Sequence, residues 1–187
     1  GTVVTKEDGP RAGKTLEKLA ELKPVFRPEG GRVTAGNACP LNDGAAAVMV
    51  MSEDKAKAAG IKPIARIIAS GVSGLDPRIM GVGPIEAVKK ALAQANMKIG
   101  DVDIMELNEA FAAQVLPVCD NVGMDPFSEQ FNPQGGAIAL GHPFGQTGAR
   151  IMTTLLNGLQ SRDKTIGLET MCVGGGQGLA MIVERIN

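Results

Sequence analysis

Four segments combine reactive or polar side chains with glycine, and they are the candidate functional segments of this chain. They are residues 35–44 (AGNACPLNDG), 108–112 (NEAFA), 135–143 (GGAIALGHP) and 172–176 (CVGGG). Glycine lets the backbone turn sharply or approach a ligand closely. Three of the segments fall at predicted strand ends or strand-to-helix turns, where open α/β sheets commonly bind ligands.

His142 is the only histidine, and it stands between Gly141 and Pro143. The flexible glycine and the rigid proline predict that the ring is held in one place. A neutral imidazole there could act as a base or as a hydrogen-bond donor. A loop histidine that bonds a backbone carbonyl is the alternative, and the residues alone leave both open.

Cys172 ends a predicted apolar strand and precedes three glycines. Free N–H groups after it could form a nest that lowers the pKa of the thiol and suits a developing oxyanion. A buried, inert cysteine is the alternative. Of the other thiols, Cys119 is interpreted as a packing residue, and Cys39 lies in a loop that looks like a binding element.

Two polar residues follow the predicted strand over residues 102–107. Asn108 could orient a water or a carbonyl at the strand end. The negative charge of Glu109 at the start of a helix would also interact favourably with the helix dipole, without any functional role. Residues 174–178 (GGGQG) are not interpreted as a phosphate loop, because they lack the Lys-Ser/Thr ending and no predicted helix follows.

The elements that must position these residues follow an α/β pattern. Helices are predicted over residues 14–22, between Ser52 and Gly60, and over 84–96, 110–121 and 145–159; strands are predicted over 46–51, 64–72, 102–107, 165–171 and 178–186. From residue 64 onward this order predicts a mixed sheet with helices against it.

Composition excludes several protein classes. With 44 % hydrophobic and 21 % charged residues in 187, the chain is globular and long enough for one domain, or one domain and part of another. A net charge of −1 lacks the excess of positive charge that is typical of nucleic-acid-binding proteins. The longest apolar run, residues 45–51, is too short to span a membrane. Three cysteines without a disulfide framework predict a reducing, cytoplasmic compartment, with an organelle left open.

Taken together, the four segments resemble motifs of the thiolase family. Residues 108–112 are similar to its NEAF motif, residues 135–150 to GGAIALGHPxGxxGAR, residues 172–176 to CxGGG, and residues 34–47 to TAGNxxxxNDGAAA. Their order and spacing match over almost all of the chain, so the chain resembles the C-terminal half of a thiolase.

The resemblance implies an α/β fold in layers, with a mixed sheet and helices on both faces. It makes residues 1–40 the tail of the coenzyme A-binding loop domain. Residues 41–62 would be the last strand and helix of the N-terminal core, and residues 63–187 the C-terminal core domain. A homodimer or homotetramer is implied.

The implied activity is cleavage of a 3-ketoacyl-CoA to acetyl-CoA and a shortened acyl-CoA, or the reverse Claisen condensation. Coenzyme A is the co-substrate, and neither a covalently bound cofactor nor a metal is implied. The nucleophilic cysteine is expected in the N-terminal half. We therefore expect the isolated chain to be inactive and to expose a large apolar surface.

The resemblance also implies roles for single residues. His142 would activate the nucleophile and help to bind the thioester oxygen, and Cys172 would be the acid/base at carbon. Asn108 would hold a water in the first oxyanion site, and the N–H of Gly174 would serve the second. The residues that match the coenzyme A and pantetheine channel are Ala35, Gly36, Cys39, Ala110 and Phe111.

The sequence departs from the family pattern at two places. Cys39-Pro40 stands where many members carry Ser-Gly, and residues 132–134 (NPQ) replace a common Asn-x-Asn. Residues 39–44 (CPLNDG), together with Phe144 and Thr147, resemble thiolases that act on bulky or sterol-derived acyl-CoAs. Fatty acid β-oxidation is the other implied role.

Two alternatives are weighed against a thiolase. A ketoacyl synthase typically pairs two histidines with its cysteine, whereas this chain has one histidine and a cysteine at the second position. The other alternative is a fragment that folds and associates but does no chemistry.

Overall fold

The computed structural model describes residues 1–6, 9 and 11–187. Its helices are α1 (Leu16–Ala20), α2 (Glu53–Ala58), α3 (Gly83–Ala95), α4 (Ala112–Val122), α5 (Ala137–Leu140) and α6 (Thr147–Ser161), and its strands are β1 (Ala65–Gly74), β2 (Ile104–Leu107), β3 (Ile166–Val173) and β4 (Gln177–Arg185). Among the described residues, no helix has both the length and the hydropathy to cross a bilayer.

The four strands form one mixed sheet in the order β1-β4-β3-β2. β4 runs antiparallel to both β1 and β3, whereas β2 and β3 run parallel. The parallel pair needs a crossover connection, which α4, α5 and α6 supply between β2 and β3. The mixed sheet predicted from the sequence is thereby confirmed.

Helices cover both faces of this sheet, as predicted. α3 and α4 pack on one face around a core that includes Val88, Val118 and Leu168. α6 packs on the other face, where Leu155 and Leu159 contact the side of the sheet that carries Ile104. The apolar positions of α6 recur at the three- and four-residue spacing of an amphipathic helix, which is why the sequence revealed it.

Most element predictions are confirmed, because local signals mark their ends. The Ser52 hydroxyl accepts from the Lys55 N–H and caps α2. α3 ends at Asn96, which adopts the left-handed conformation with φ 53°. The four-residue helix α5 was not predicted.

The strand predicted over residues 46–51 is wrong. The segment lies outside every strand, and its apolar side chains are exposed, with Met49 at 78 % and Val50 at 72 %. An extended segment becomes a strand only when a neighbour completes its hydrogen bonds, and the described residues provide none here. Instead the segment borders a cleft of about 900 Å³ whose far wall includes Met152 and Leu156 of α6 and Met181 of β4.

Candidate active site

The carboxyl ends of the parallel strands β2 and β3 bring two predicted catalytic residues to one edge of the sheet. Leu107 pairs with Thr170 in the parallel register, and the next residue, Asn108, donates its backbone N–H to the Thr170 carbonyl at 3.0 Å. Cys172 lies two residues farther along β3. Ligands of open α/β sheets bind at this kind of edge.

Asn108 is fully buried, with 0 % of its surface exposed. Neither atom of its side-chain amide has a hydrogen-bond partner among the described residues. An unpaired buried amide costs free energy, so packing alone gives little reason for one here. Its N–H groups have unused hydrogen-bonding capacity, which is compatible with the predicted oxyanion role.

Cys172 is 5 % exposed at the same edge. Burial raises the pKa of its thiol above the ordinary value, the nearby Cys39 thiol raises it further, and a backbone hydrogen bond offsets only part of this rise. Of the two alternatives for Cys172, the glycine nest does not lower its pKa, because burial outweighs the backbone N–H. A thiol with a raised pKa stays protonated at neutral pH and is suited to donate a proton. Cys119 is a buried packing residue, as predicted.

The three glycines after Cys172 form the tight turn of the β3–β4 hairpin. Val173 pairs with Gln177 across this turn, and both Gly175 and Gly176 have φ 86°. A Cβ at Gly176 would lie 2.3 Å from the carbonyl oxygen of Leu75, so glycine is required there. Gly174 is exposed at the start of the turn.

His142 lies between α5 and α6, in a loop that Asn42 holds. The backbone N–H of His142 donates to Asn42 Oδ1 at 3.1 Å. A Cβ at Gly141, whose φ is 106°, would lie 2.5 Å from the same oxygen. Sequence reasoning missed Asn42 as a site residue, although it lies within a segment that the sequence singled out.

The His142 ring is half-buried, and its Nδ1 lies 2.8 Å from Thr147 Oγ1. The ring therefore bonds a hydroxyl rather than the backbone carbonyl of the alternative interpretation. Burial and the Arg150 guanidinium lower the pKa of His142 below its ordinary value. The ring is consequently neutral at pH 7, as a general base must be.

Glu109 has a role that the helix-dipole interpretation did not predict. α4 begins three residues later, at Ala112, so Glu109 is outside its first turn. Its Oε1 accepts from Asn132 Nδ2 at 2.8 Å, and its Oε2 accepts from the Ile138 N–H at 3.1 Å. Glu109 thus ties β2 to the glycine segment that leads to His142.

Gly136 leaves the space that the Glu109 carboxylate occupies, since a Cβ at Gly136 would lie 2.0 Å from the carboxyl carbon. We expect Gly136→Ala to lower the free energy of unfolding by about 1–3 kcal/mol, because the carboxylate must move and lose its hydrogen bonds. Urea unfolding of the chain measures this. The matched control is Gly100→Ala, where a Cβ would meet open space. Equal stability of the two variants would show that the Glu109 hydrogen bonds do not stabilise the fold.

The residues predicted to bind coenzyme A lie partly together. The Cys39 N–H donates to the Ala110 carbonyl at 3.0 Å, and Ala38 forms a β-bridge with Phe111. Gly36 lies under α1, where a Cβ would meet Leu19 and Leu22, and Ala35 is exposed. Because the Cys39 thiol also acts on the pKa of Cys172, this strip adjoins the edge that carries Cys172.

Two buried carboxyl groups lie behind the site and were not predicted. Glu106 and Glu169 pair in register across β2 and β3 and are 2 % and 6 % exposed. Burial raises the pKa of Glu106 to about 7, although Arg150 opposes the rise. Burial, with Glu106 nearby, raises the pKa of Glu169 to about 8. Near neutral pH these side chains are therefore partly or largely uncharged.

Comparison with known proteins places these features in a family. The family model "Thiolase, C-terminal domain" matches residues 61–185, and "Thiolase, N-terminal domain" matches residues 1–54. The chain is 52 % identical over 185 residues to the acetyl-CoA acetyltransferase of Escherichia coli (strain K12). The matched region spans 99 % of this chain and 46 % of that protein. The chain thus spans about half the length of the curated relatives it matches.

Solved structures agree. The crystal structure of the Bacillus anthracis acetyl-CoA acetyltransferase superposes with a TM-score of 0.90 at 48 % identity, over 97 % of this chain and 45 % of that one. Human mitochondrial 3-ketoacyl-CoA thiolase in complex with CoA superposes with a TM-score of 0.87 at 43 % identity, over 96 % and 45 %. Family model, sequence identity and fold all agree, and the chain belongs to the thiolase family.

Proposed function

We propose that this chain forms the C-terminal half of a thiolase that cleaves 3-ketoacyl-CoA with coenzyme A, or runs the reverse Claisen condensation. The observation that carries the proposal is that Asn108 and Cys172 follow neighbouring parallel strands at one edge of the sheet. Asn108 has a buried amide without a hydrogen-bond partner among the described residues, and Cys172 has a buried thiol. The names of the relatives, acetyl-CoA acetyltransferase and 3-ketoacyl-CoA thiolase, agree with this chemistry.

Cleavage requires a thiolate nucleophile, a base for thiols and an acid for carbon. In the proposed reaction a cysteine thiolate adds to the keto carbon, and the bond between the α- and β-carbons breaks. Its electron pair goes to the α-carbon of the leaving acetyl-CoA, which takes the proton of the Cys172 thiol. His142 then takes the thiol proton of coenzyme A and passes it to the Cys172 thiolate, which restores that thiol. The coenzyme A sulfur attacks the acyl-enzyme, and the shortened acyl-CoA is released as the nucleophilic cysteine leaves as a thiolate.

Two oxygens gain negative charge in these steps, and preorganised donors stabilise such charge. We assign the Asn108 amide, through a bound water, to the first oxyanion and the N–H of Gly174 to the second. Ala35, Gly36, Cys39, Ala110 and Phe111 would line the channel for coenzyme A. The contacts that join residues 38 and 39 to Ala110 and Phe111, and the effect of the Cys39 thiol on the pKa of Cys172, support this assignment.

The nucleophilic cysteine and a covering partner would come from the N-terminal half of the same enzyme. The cleft between residues 47–51 and the outer face of α6 is mostly apolar, and its lining includes Met152, Met181 and Val183. Exposed apolar surface of this extent marks a contact site. The relatives extend over about twice the length that this chain covers, which supports a second half as the occupant. Assembly of the completed enzyme as a homodimer or homotetramer is part of the proposal.

The test is coenzyme A-dependent cleavage of acetoacetyl-CoA by the 187-residue chain, alone and after mixing with the N-terminal half of a thiolase. We expect no turnover by the chain alone and recovery on mixing, because the nucleophile and the acid/base groups are then in one site. The control mixture contains the Gly100→Ala chain and should recover equally.

Three outcomes would contradict the proposal. Turnover by the chain alone that Cys172→Ser abolishes would make Cys172 the nucleophile. Decarboxylative condensation of a malonyl thioester by the mixture would identify a ketoacyl synthase. A stable mixed complex without turnover would favour a fragment that associates but does no chemistry.

A further inference from the structure

The hydrogen bonds of Thr147 determine which nitrogen of His142 carries the proton. Thr147 is 1 % exposed at the first position of α6, so water does not compete for its hydroxyl. Thr147 Oγ1 lies 2.8 Å from the carbonyl oxygen of Pro143 and 2.8 Å from His142 Nδ1. Both distances are those of ordinary hydrogen bonds.

Only one proton arrangement makes both contacts hydrogen bonds. The Pro143 carbonyl has no hydrogen to give, so the Thr147 hydroxyl must donate its single hydrogen to it. The hydroxyl can then only accept from the ring, and Nδ1 must carry a hydrogen. In the neutral ring the lone pair is therefore on Nε2.

The backbone around the ring supports the same orientation. The His142 N–H is held by Asn42 Oδ1 at 3.1 Å, and the Gly141 carbonyl accepts from Arg150 Nη2 at 3.4 Å. The ring of Phe144 lies edge-on to the imidazole at 4.9 Å between centroids. These contacts hold the loop and the ring next to Thr147, where Nδ1 is the ring atom that lies 2.8 Å from Oγ1.

We propose that Thr147 is a positioning residue that fixes His142 in the tautomer with hydrogen on Nδ1, so that Nε2 is the basic nitrogen. The link to catalysis rests on the proposed function, in which His142 takes protons from thiols. The tautomer itself is a property of this chain, so it is measured without any turnover.

The experiment is nitrogen-15 NMR of the histidine-labelled chain at pH 8.5, where the ring is neutral. His142 is the only histidine, so one imidazole gives all the signals. In the wild-type chain we expect Nδ1 to show the shift of a protonated ring nitrogen and Nε2 that of an unprotonated one. The reverse pattern, or an average of the two, would overturn the proposal whether or not the assembled enzyme is active.

Three variants separate positioning from folding. Thr147→Ser keeps a hydroxyl and should keep the wild-type pattern. Thr147→Val keeps the shape but removes the hydroxyl, so the hydrogen should move to Nε2 in part or in full. Thr153→Val removes a hydroxyl from the same helix that bonds the Ala149 carbonyl, and should change nothing. If Thr147→Val does not fold, the wild-type and Thr147→Ser spectra still decide. A folded Thr147→Val chain with the wild-type pattern would contradict the role of the hydroxyl.

Discussion

His142→Gln in the assembled enzyme is expected to lower coenzyme A-dependent cleavage of acetoacetyl-CoA by about 10²- to 10⁴-fold, the usual contribution of a positioned general base. Glutamine fills much of the same space and keeps the backbone N–H that Asn42 holds, but it cannot take a proton. The measurement is kcat at saturating coenzyme A. A chain that unfolds at the same urea concentration as wild type excludes misfolding as the cause.

The same residue predicts the acid limb of the pH profile. Burial and Arg150 lower the pKa of His142 below its ordinary value of 6.5. The basic form therefore persists to lower pH than in a free histidine, and the acid limb should be centred below pH 6.5. An acid limb centred above pH 7, or one that is unchanged in His142→Gln, would contradict the assignment of His142 as the base.

The fold from residue 64 onward could be predicted because its signals are local. Apolar periodicity predicted α6, and Pro84 and Asn96 marked the ends of α3. The segment 46–51 has the composition of a buried strand, yet strand pairing depends on a neighbour that sequence pattern does not contain. This is the physical reason that its prediction was wrong.

For the candidate site, the sequence indicated which residues to consider but not their contacts. His142, Cys172 and Asn108 stand in motifs whose residue types are unusual for packing, so they could be named from the sequence. The roles of Glu109 and Thr147 depend on hydrogen bonds to residues that the chain brings together only when folded. The sequence left the direction of the Cys172 pKa open, because burial is a property of the packed sheet and not of the glycines beside the thiol.

Cys172→Ser is expected to separate the two half-reactions of the assembled enzyme. The serine hydroxyl is a far weaker acid than a thiol, so proton transfer to the α-carbon should slow by about 10²- to 10⁴-fold. Acyl transfer between acetyl-CoA and labelled coenzyme A breaks no carbon–carbon bond. That exchange needs the nucleophile and His142 only, so it should stay close to the wild-type rate.

Two further variants make this pattern decisive. Cys119→Ala removes a thiol that is buried in α4, and a folded Cys119→Ala enzyme should keep both rates. His142→Gln should lose both, because each acyl transfer passes a thiol proton to the base. Since burial keeps the Cys172 thiol protonated at neutral pH, its loss removes a proton donor and leaves the acylated cysteine untouched. Equal loss of cleavage and exchange in Cys172→Ser would instead mean that Cys172 supports the nucleophile, and the division of roles between His142 and Cys172 would be wrong.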